Sequence, residues 1–123
     1  MADHPPRSPL AARRLALGAA AEERAAAWYA ARGWEVVARN WRCREGELDL
    51  VVARGSTLAF VEVKARSSTR FGTPAEAVTP QKQARIRTLA LTFLRETGAR
   101  ARTLRFDVVA VLGGQLEVLE GAF

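Results

Sequence analysis

A chain of 123 residues, 49% of them apolar, has the length and hydrophobic content of one packed domain and needs neither disulfide nor zinc staples. Its formal charge of +6 points to a polyanionic partner, nucleic acid first, although an arginine-rich composition alone produces such a charge. A single cysteine, Cys43, excludes an internal disulfide, and no stretch reaches the roughly 20 apolar residues of a membrane span; a cytoplasmic protein with no membrane partner is expected.

Residues 1–9, polar and proline-rich, read as a disordered arm ahead of a single domain over residues 10–123. A helix is predicted from about Leu10 to Arg32, ended by Gly33. Alanine on all sides leaves its buried face open: Glu22 falls on the stripe of Gly18, Ala25, Ala26 and Tyr29, and Glu23 on that of Ala19, Ala27 and Ala30. Trp34 to Trp41 is β-prone and reads as a strand, with Trp34 favoured as core rather than as a base-stacking platform.

Glu45 to Arg66 reads as two apolar strands around a Gly55-Ser56 turn, with Glu47, Asp49, Glu62 and Lys64 set inside the apolar runs. A turn there places Arg54 opposite Thr57, Asp49 opposite Glu62 and Glu47 opposite Lys64, all on one face. Directly opposed carboxylates destabilise a ladder unless a cation lies between them. A hard divalent ion, Mg²⁺ or Mn²⁺, completed by waters and a substrate phosphate, suits that geometry. The competing reading is a cross-strand salt-bridge cluster in which Lys64 neutralises Glu47 and Glu62 and leaves Asp49 poorly paired.

A polar loop over residues 67–73 follows, placed to touch a substrate backbone. The next helix has Thr79 as N-cap, Pro80 at its first position, an apolar stripe of Ile86, Leu89, Ala90, Phe93 and Leu94, and Gly98 as its stop. Of the nineteen basic residues only Lys64 and Lys82 are lysine. Lys82 stands in the first turn of this helix, where a bound anion would offset the dipole's penalty on a cation. Leu104 to Leu112, a Gly113-Gly114 turn and Gln115 to Leu119 make two last strands, with Asp107 read as structural and paired to arginine. The order α-β-β-β-α-β-β defines an α/β protein, a mixed β-sheet flanked by helices.

Hydrolysis of a phosphodiester needs charge stabilisation on the phosphate, an activated water and a nearby cation. Asp49 and Glu62 are the expected ion ligands, completed by Glu22 or, as an accessory, Glu47. Lys64, two residues beyond Glu62, orients or deprotonates the water or stabilises the transition state. Arg42, Arg66, Arg70, Lys82 and Arg85 are the expected nucleic-acid contacts.

At Asp49 and Glu62-Val63-Lys64 the chain resembles the PD-(D/E)XK nuclease superfamily, and more closely the YraN-like family of uncharacterised proteins, related in fold to Holliday junction resolvases. The resemblance runs through Gly18 and Glu22, Asn40-Trp41-Arg42, Gly46-Glu47-Leu48-Asp49-Leu50, Phe60-Val61-Glu62-Val63-Lys64-Ala65-Arg66, Phe71-Gly72-Thr73-Pro74, Ala77-Val78, Lys82, Arg105-Phe106-Asp107-Val108-Val109 and Glu120-Gly121-Ala122-Phe123. Leu48 stands where the superfamily's motif has proline, and Ala21 where the family's first helix has a second glycine. The resemblance implies a restriction-endonuclease-like fold in which Glu22, Asp49, Glu62 and Lys64 converge. It implies a metal-dependent endonuclease acting on nucleic acid, DNA before RNA, including branched or structured DNA, and working as a homodimer where two strands are cut. The alternatives are a nucleic-acid-binding module that keeps the fold without cutting and an interaction subunit of a processing complex.

Overall fold

A computed structural model of the protein describes residues 8–66 and 78–123. The elements follow the expected order: α1 (Pro9–Ala30), β1 (Glu35–Cys43), β2 (Gly46–Arg54), β3 (Thr57–Arg66), α2 (Pro80–Thr97), β4 (Thr103–Leu112) and β5 (Gln115–Leu119). The five strands form one sheet in sequence order, antiparallel throughout except for the parallel pair β3–β4, between which α2 falls in sequence.

Several element boundaries differ from expectation by one or two residues, α1 ending at Ala30 and β1 running on to Cys43 among them. The end of the stretch assigned to the arm starts α1: Ser8 is its N-cap, its hydroxyl accepting from the Ala11 amide at 3.1 Å, and Pro9 is its first residue, supplying the fixed φ of that position. Trp34 precedes its strand instead of opening it, because it is 4% exposed and packs edge-on against Tyr29. The expected arm over residues 1–7 and the loop over residues 67–73 lie outside the described residues.

α2 is bounded as the sequence indicates. Thr79 accepts from the Lys82 amide at 3.2 Å, and Gly98 takes φ +73°, a left-handed conformation that a Cβ would disfavour. The helix presents Ile86, Leu89, Ala90 and Phe93 to Val51, Leu58, Phe60, Phe106 and Val108 on one face of the sheet. On the other face α1 lays Ala21, Ala25, Ala26 and Tyr29 on Leu50, Val52, Ala59, Val61, Val109 and Val111. The alanine contact brings this helix close to the strands. It also settles which stripe of α1 faces inward, and with it the orientation of Glu22.

Tyr29 ends that inward face on a buried polar network. Its hydroxyl donates to Asp107 Oδ2 at 2.6 Å, Arg105 donates from two nitrogens at 2.9 Å, and the Gly121 amide donates to Oδ1 at 2.9 Å. Asp107 is 0% exposed, so four donors are what its charge requires there. Asp107 is structural, tying α1 and the segment after β5 to the middle of the sheet.

Candidate active site

The site begins where the sheet loses regularity. The Gly55-Ser56 turn, with Gly55 at φ +58°, holds the β2–β3 register from Arg54↔Thr57 to Leu50↔Val61, as the sequence indicates. The ladder then stops one pair short of Asp49 and Glu62. On the other side of β2, pairing runs from Arg39↔Leu50 directly to Trp41↔Leu48, omitting Asn40 and Asp49. Leu50 lies under α1 whereas Leu48 lies under α2, so the alternation of β2 is reset at Asp49. Asp49 is therefore the point at which β2 parts from β3 and misses one pair with β1. Its carboxylate occupies the break, with Oδ2 accepting from the Val63 amide at 2.9 Å.

An acidic group gathers around it. Glu22 from α1 and Glu47 and Asp49 from β2 each offer a carboxylate oxygen, and the three oxygens lie within 4.8 Å of one another. Asn40 bridges two of them. With its amide nitrogen turned toward the acids, it lies 3.2 and 3.0 Å from the two Glu22 oxygens and 3.0 Å from Glu47 Oε1. Arg42 pairs with Glu47 at 2.8 Å, and Arg39 with Glu23 at 2.8 Å, which leaves Glu22 rather than Glu23 in the group. Burial, together with the charges of Glu47 and Glu62, raises the Glu22 carboxyl above its ordinary range despite the Asn40 hydrogen bond. Burial and the neighbouring Glu62 charge push Asp49 from 3.8 up to about 7.

A cationic group adjoins it on the α2 side. Val61 and Val63 belong with the α1 face, so Glu62 and Lys64 project toward α2. Glu62 is 7% exposed, and its Oε2 meets Lys82 Nζ at 2.5 Å and Lys64 Nζ at 3.2 Å. Burial works against the Glu62 charge, but the two ammonium groups outweigh it and hold the carboxyl below its ordinary value. Burial and the Lys82 cation lower the proton affinity of Lys64. Lys82 goes the other way: burial opposes its charge, but Glu62 holds its pKa above the ordinary value.

The structure thus brings Glu22, Glu47, Asp49, Glu62, Lys64 and Lys82 into one locality. The expected opposition of Glu47 and Lys64 is replaced by two other pairs, Glu47 with Arg42 and Lys64 with Glu62, because the strands part before that position. Lys82, expected on a substrate backbone, rests on Glu62. Arg85 is exposed on α2, Arg66 is the last residue of β3, and Arg70 lies outside the described residues. Asn40 is absent from the expected site. Its signal was asparagine inside a strand, a residue poor in β-propensity and tolerant of left-handed backbone. Glu22, Glu47 and Asp49 form an all-oxygen, anionic donor set, which fits a hard ion such as Mg²⁺ or Mn²⁺ and not a thiolate- or imidazole-seeking metal.

The model of uncharacterised protein family UPF0102 matches residues 21–111, a span that holds every one of these acidic and lysine residues, and the chain belongs to that family, which is the YraN-like group. A UPF0102 protein of Beutenbergia cavernae is 60% identical over 97 residues, 79% of this chain and 82% of its own length. The Rhodococcus opacus UPF0102 protein is 50% identical over 117 residues, covering 91% of this chain and 99% of the relative. One from Moorella thermoacetica is 46% identical over 112 residues, covering 86% and 93%. No helix among the described residues is long and apolar enough to cross a membrane.

Proposed function

We propose that the protein is a metal-dependent endonuclease of the PD-(D/E)XK kind, hydrolysing phosphodiester bonds in nucleic acid, with DNA, including branched or structured DNA, preferred over RNA. The observation that carries this reading is the convergence of the Glu22, Glu47 and Asp49 carboxylates within 4.8 Å, beside a Glu62 that holds two lysines. Three acids so placed repel one another, and burial with the neighbouring charges raises two of them, Glu22 above its ordinary range and Asp49 to about 7, a cost that a divalent cation removes. Glu22, Glu47 and Asp49 would hold the ion, with Glu62 as the ligand that joins once its lysines turn to substrate. Bound there, Mg²⁺ or Mn²⁺ offsets phosphate charge and lowers the pKa of water.

The chain's own groups supply the rest. Lys64, whose proton affinity burial and the Lys82 cation lower, gives up its proton as it turns from Glu62 and accepts the proton of the attacking water. Lys82, which keeps its proton, meets a non-bridging phosphate oxygen and stabilises the charge that develops there. Exposed arginines such as Arg85 grip neighbouring phosphates without reading sequence. Cutting both strands of a branch takes two such sites, hence a homodimer, and the proposed setting is the cytoplasm.

Incubation of the purified protein with single-stranded, duplex and four-way DNA, and with RNA, with and without Mg²⁺ or Mn²⁺, tests the reading. Metal-dependent products that vanish in Glu62→Ala are expected. One observation favours the second reading, a binding module that does not cut: Glu62 is engaged by two ammonium groups. Salt-sensitive binding with no product under any metal condition would establish that module in place of the enzyme.

A further inference from the structure

Asn40 is the one non-glycine residue among those described with a positive φ, +49°. Asparagine tolerates this conformation better than most side chains, yet inside a strand it is maintained only where the surroundings require it. The β1–β2 ladder shifts register between Val36 and Ala38, then keeps one register from Ala38 to Cys43 and skips only the pair of Asn40 with Asp49. The backbone turn carries the amide out of the strand's alternation and toward α1. There, in the amide orientation that places its nitrogen toward the acids, that nitrogen meets both oxygens of Glu22, at 3.2 and 3.0 Å, and Glu47 Oε1 at 3.0 Å. One neutral donor, with two hydrogens, thus ties together two carboxylates from different elements.

We propose that Asn40 is a positioning residue for the cation: its amide holds Glu22 and Glu47 in the convergent arrangement a divalent ion needs, and the left-handed backbone aims that amide. The inference rests on the proposed function and adds to it the residue that assembles the ligands. Asparagine suits the task because it donates without charge. An arginine or lysine at the same point would neutralise the acids permanently and compete with the ion, as Lys82 does at Glu62. Each glutamate can keep one amide hydrogen on an outer lone pair while its other lone pairs face the ion, the arrangement by which outer partners orient metal ligands elsewhere.

Two substitutions separate the side chain from the backbone. Asn40→Ala removes the amide and leaves the strained φ, whereas Asn40→Gly removes the amide and accepts that φ freely. Mn²⁺ binding to the full-length protein and both variants is measured by calorimetry and by electron paramagnetic resonance of the free ion, with circular dichroism to verify folding. Both variants are expected to bind Mn²⁺ more weakly by roughly 10- to 100-fold, by similar factors. Wild-type affinity in Asn40→Gly would overturn the inference, since the asparagine would then serve the backbone alone. Unchanged affinity in both variants would overturn it while leaving the proposed enzyme standing. Absence of Mn²⁺ binding by the wild-type protein would overturn both.

Discussion

Replacing Asp49 by asparagine is expected to stabilise the protein in the absence of divalent ions, the reverse of what loss of a buried ionised group ordinarily does. Asp49 moves from 3.8 to about 7 on folding, because burial and the Glu62 charge disfavour its ionised form. Between those two values the folded chain binds more protons at this group than the unfolded chain, so stability falls as pH rises through the window. At about 1.4 kcal/mol per pH unit this amounts to about 4 kcal/mol by pH 8, and partial solvent access to a half-buried carboxyl reduces it to about 2 kcal/mol. Asparagine keeps an oxygen to accept the Val63 amide and brings two donors to Glu62 and Glu22. Chelator-treated Asp49→Asn is therefore expected to melt roughly 6–10 °C above wild type at pH 8, and the gap closes toward pH 4. Mn²⁺ raises the wild-type melting temperature far more than that of the variant, because bound ligand stabilises only the state that binds it. A variant less stable than wild type across pH 5–8 with chelator present would refute the reasoning, since the acids would then not be opposing one another.

Glu62→Gln removes the charge shared by Lys64 and Lys82. It is expected to cost about 1–3 kcal/mol in a urea melt at pH 7, and this cost shrinks as pH falls below the lowered pKa of Glu62. Arg85→Ala leaves stability within about 0.5 kcal/mol because the side chain is exposed. On the proposed function it is expected to weaken DNA binding uniformly across sequences and to lower the slope of log K against log salt by about one, measured by fluorescence anisotropy. Tyr29→Phe deprives the fully buried Asp107 of one donor at 2.6 Å and costs about 1–3 kcal/mol by thermal melting, with Mn²⁺ affinity unchanged.

Most of the architecture was legible because it follows from local rules. Thr79, Pro80 and Gly98 bound α2 by capping chemistry that any chain would obey, and Gly55-Ser56 sets a register that runs unbroken to Leu50↔Val61. The pattern of apolar residues in Glu45 to Arg66 likewise told which side chains of β3 enter the core. α1 was harder, since its alanines offer no contrast between faces. Glu22 was assigned through family resemblance, and the packing of Ala21, Ala25, Ala26 and Tyr29 on the sheet then oriented it. The partners of the charges were legible in part: arginine for Asp107 and, in the salt-bridge reading, Lys64 for Glu62 were expected, whereas Arg42 for Glu47 and Lys82 for Glu62 were not. Strict alternation put Glu47 against Lys64, but alternation holds only while the ladder does, and the ladder fails at Asp49.

Residue types and their spacing along the chain determined the elements, their order, the β2–β3 hairpin and the presence of acids and lysines inside apolar strands, because these depend on neighbours a few positions away. Only the folded arrangement decided that Asn40 turns left-handed opposite Asp49, that Arg42 takes Glu47, and that Lys82 crosses from α2 to Glu62. Those outcomes depend on where β2 leaves β3 between two helices, and charges distant in sequence become partners only once packing has fixed the distances between them.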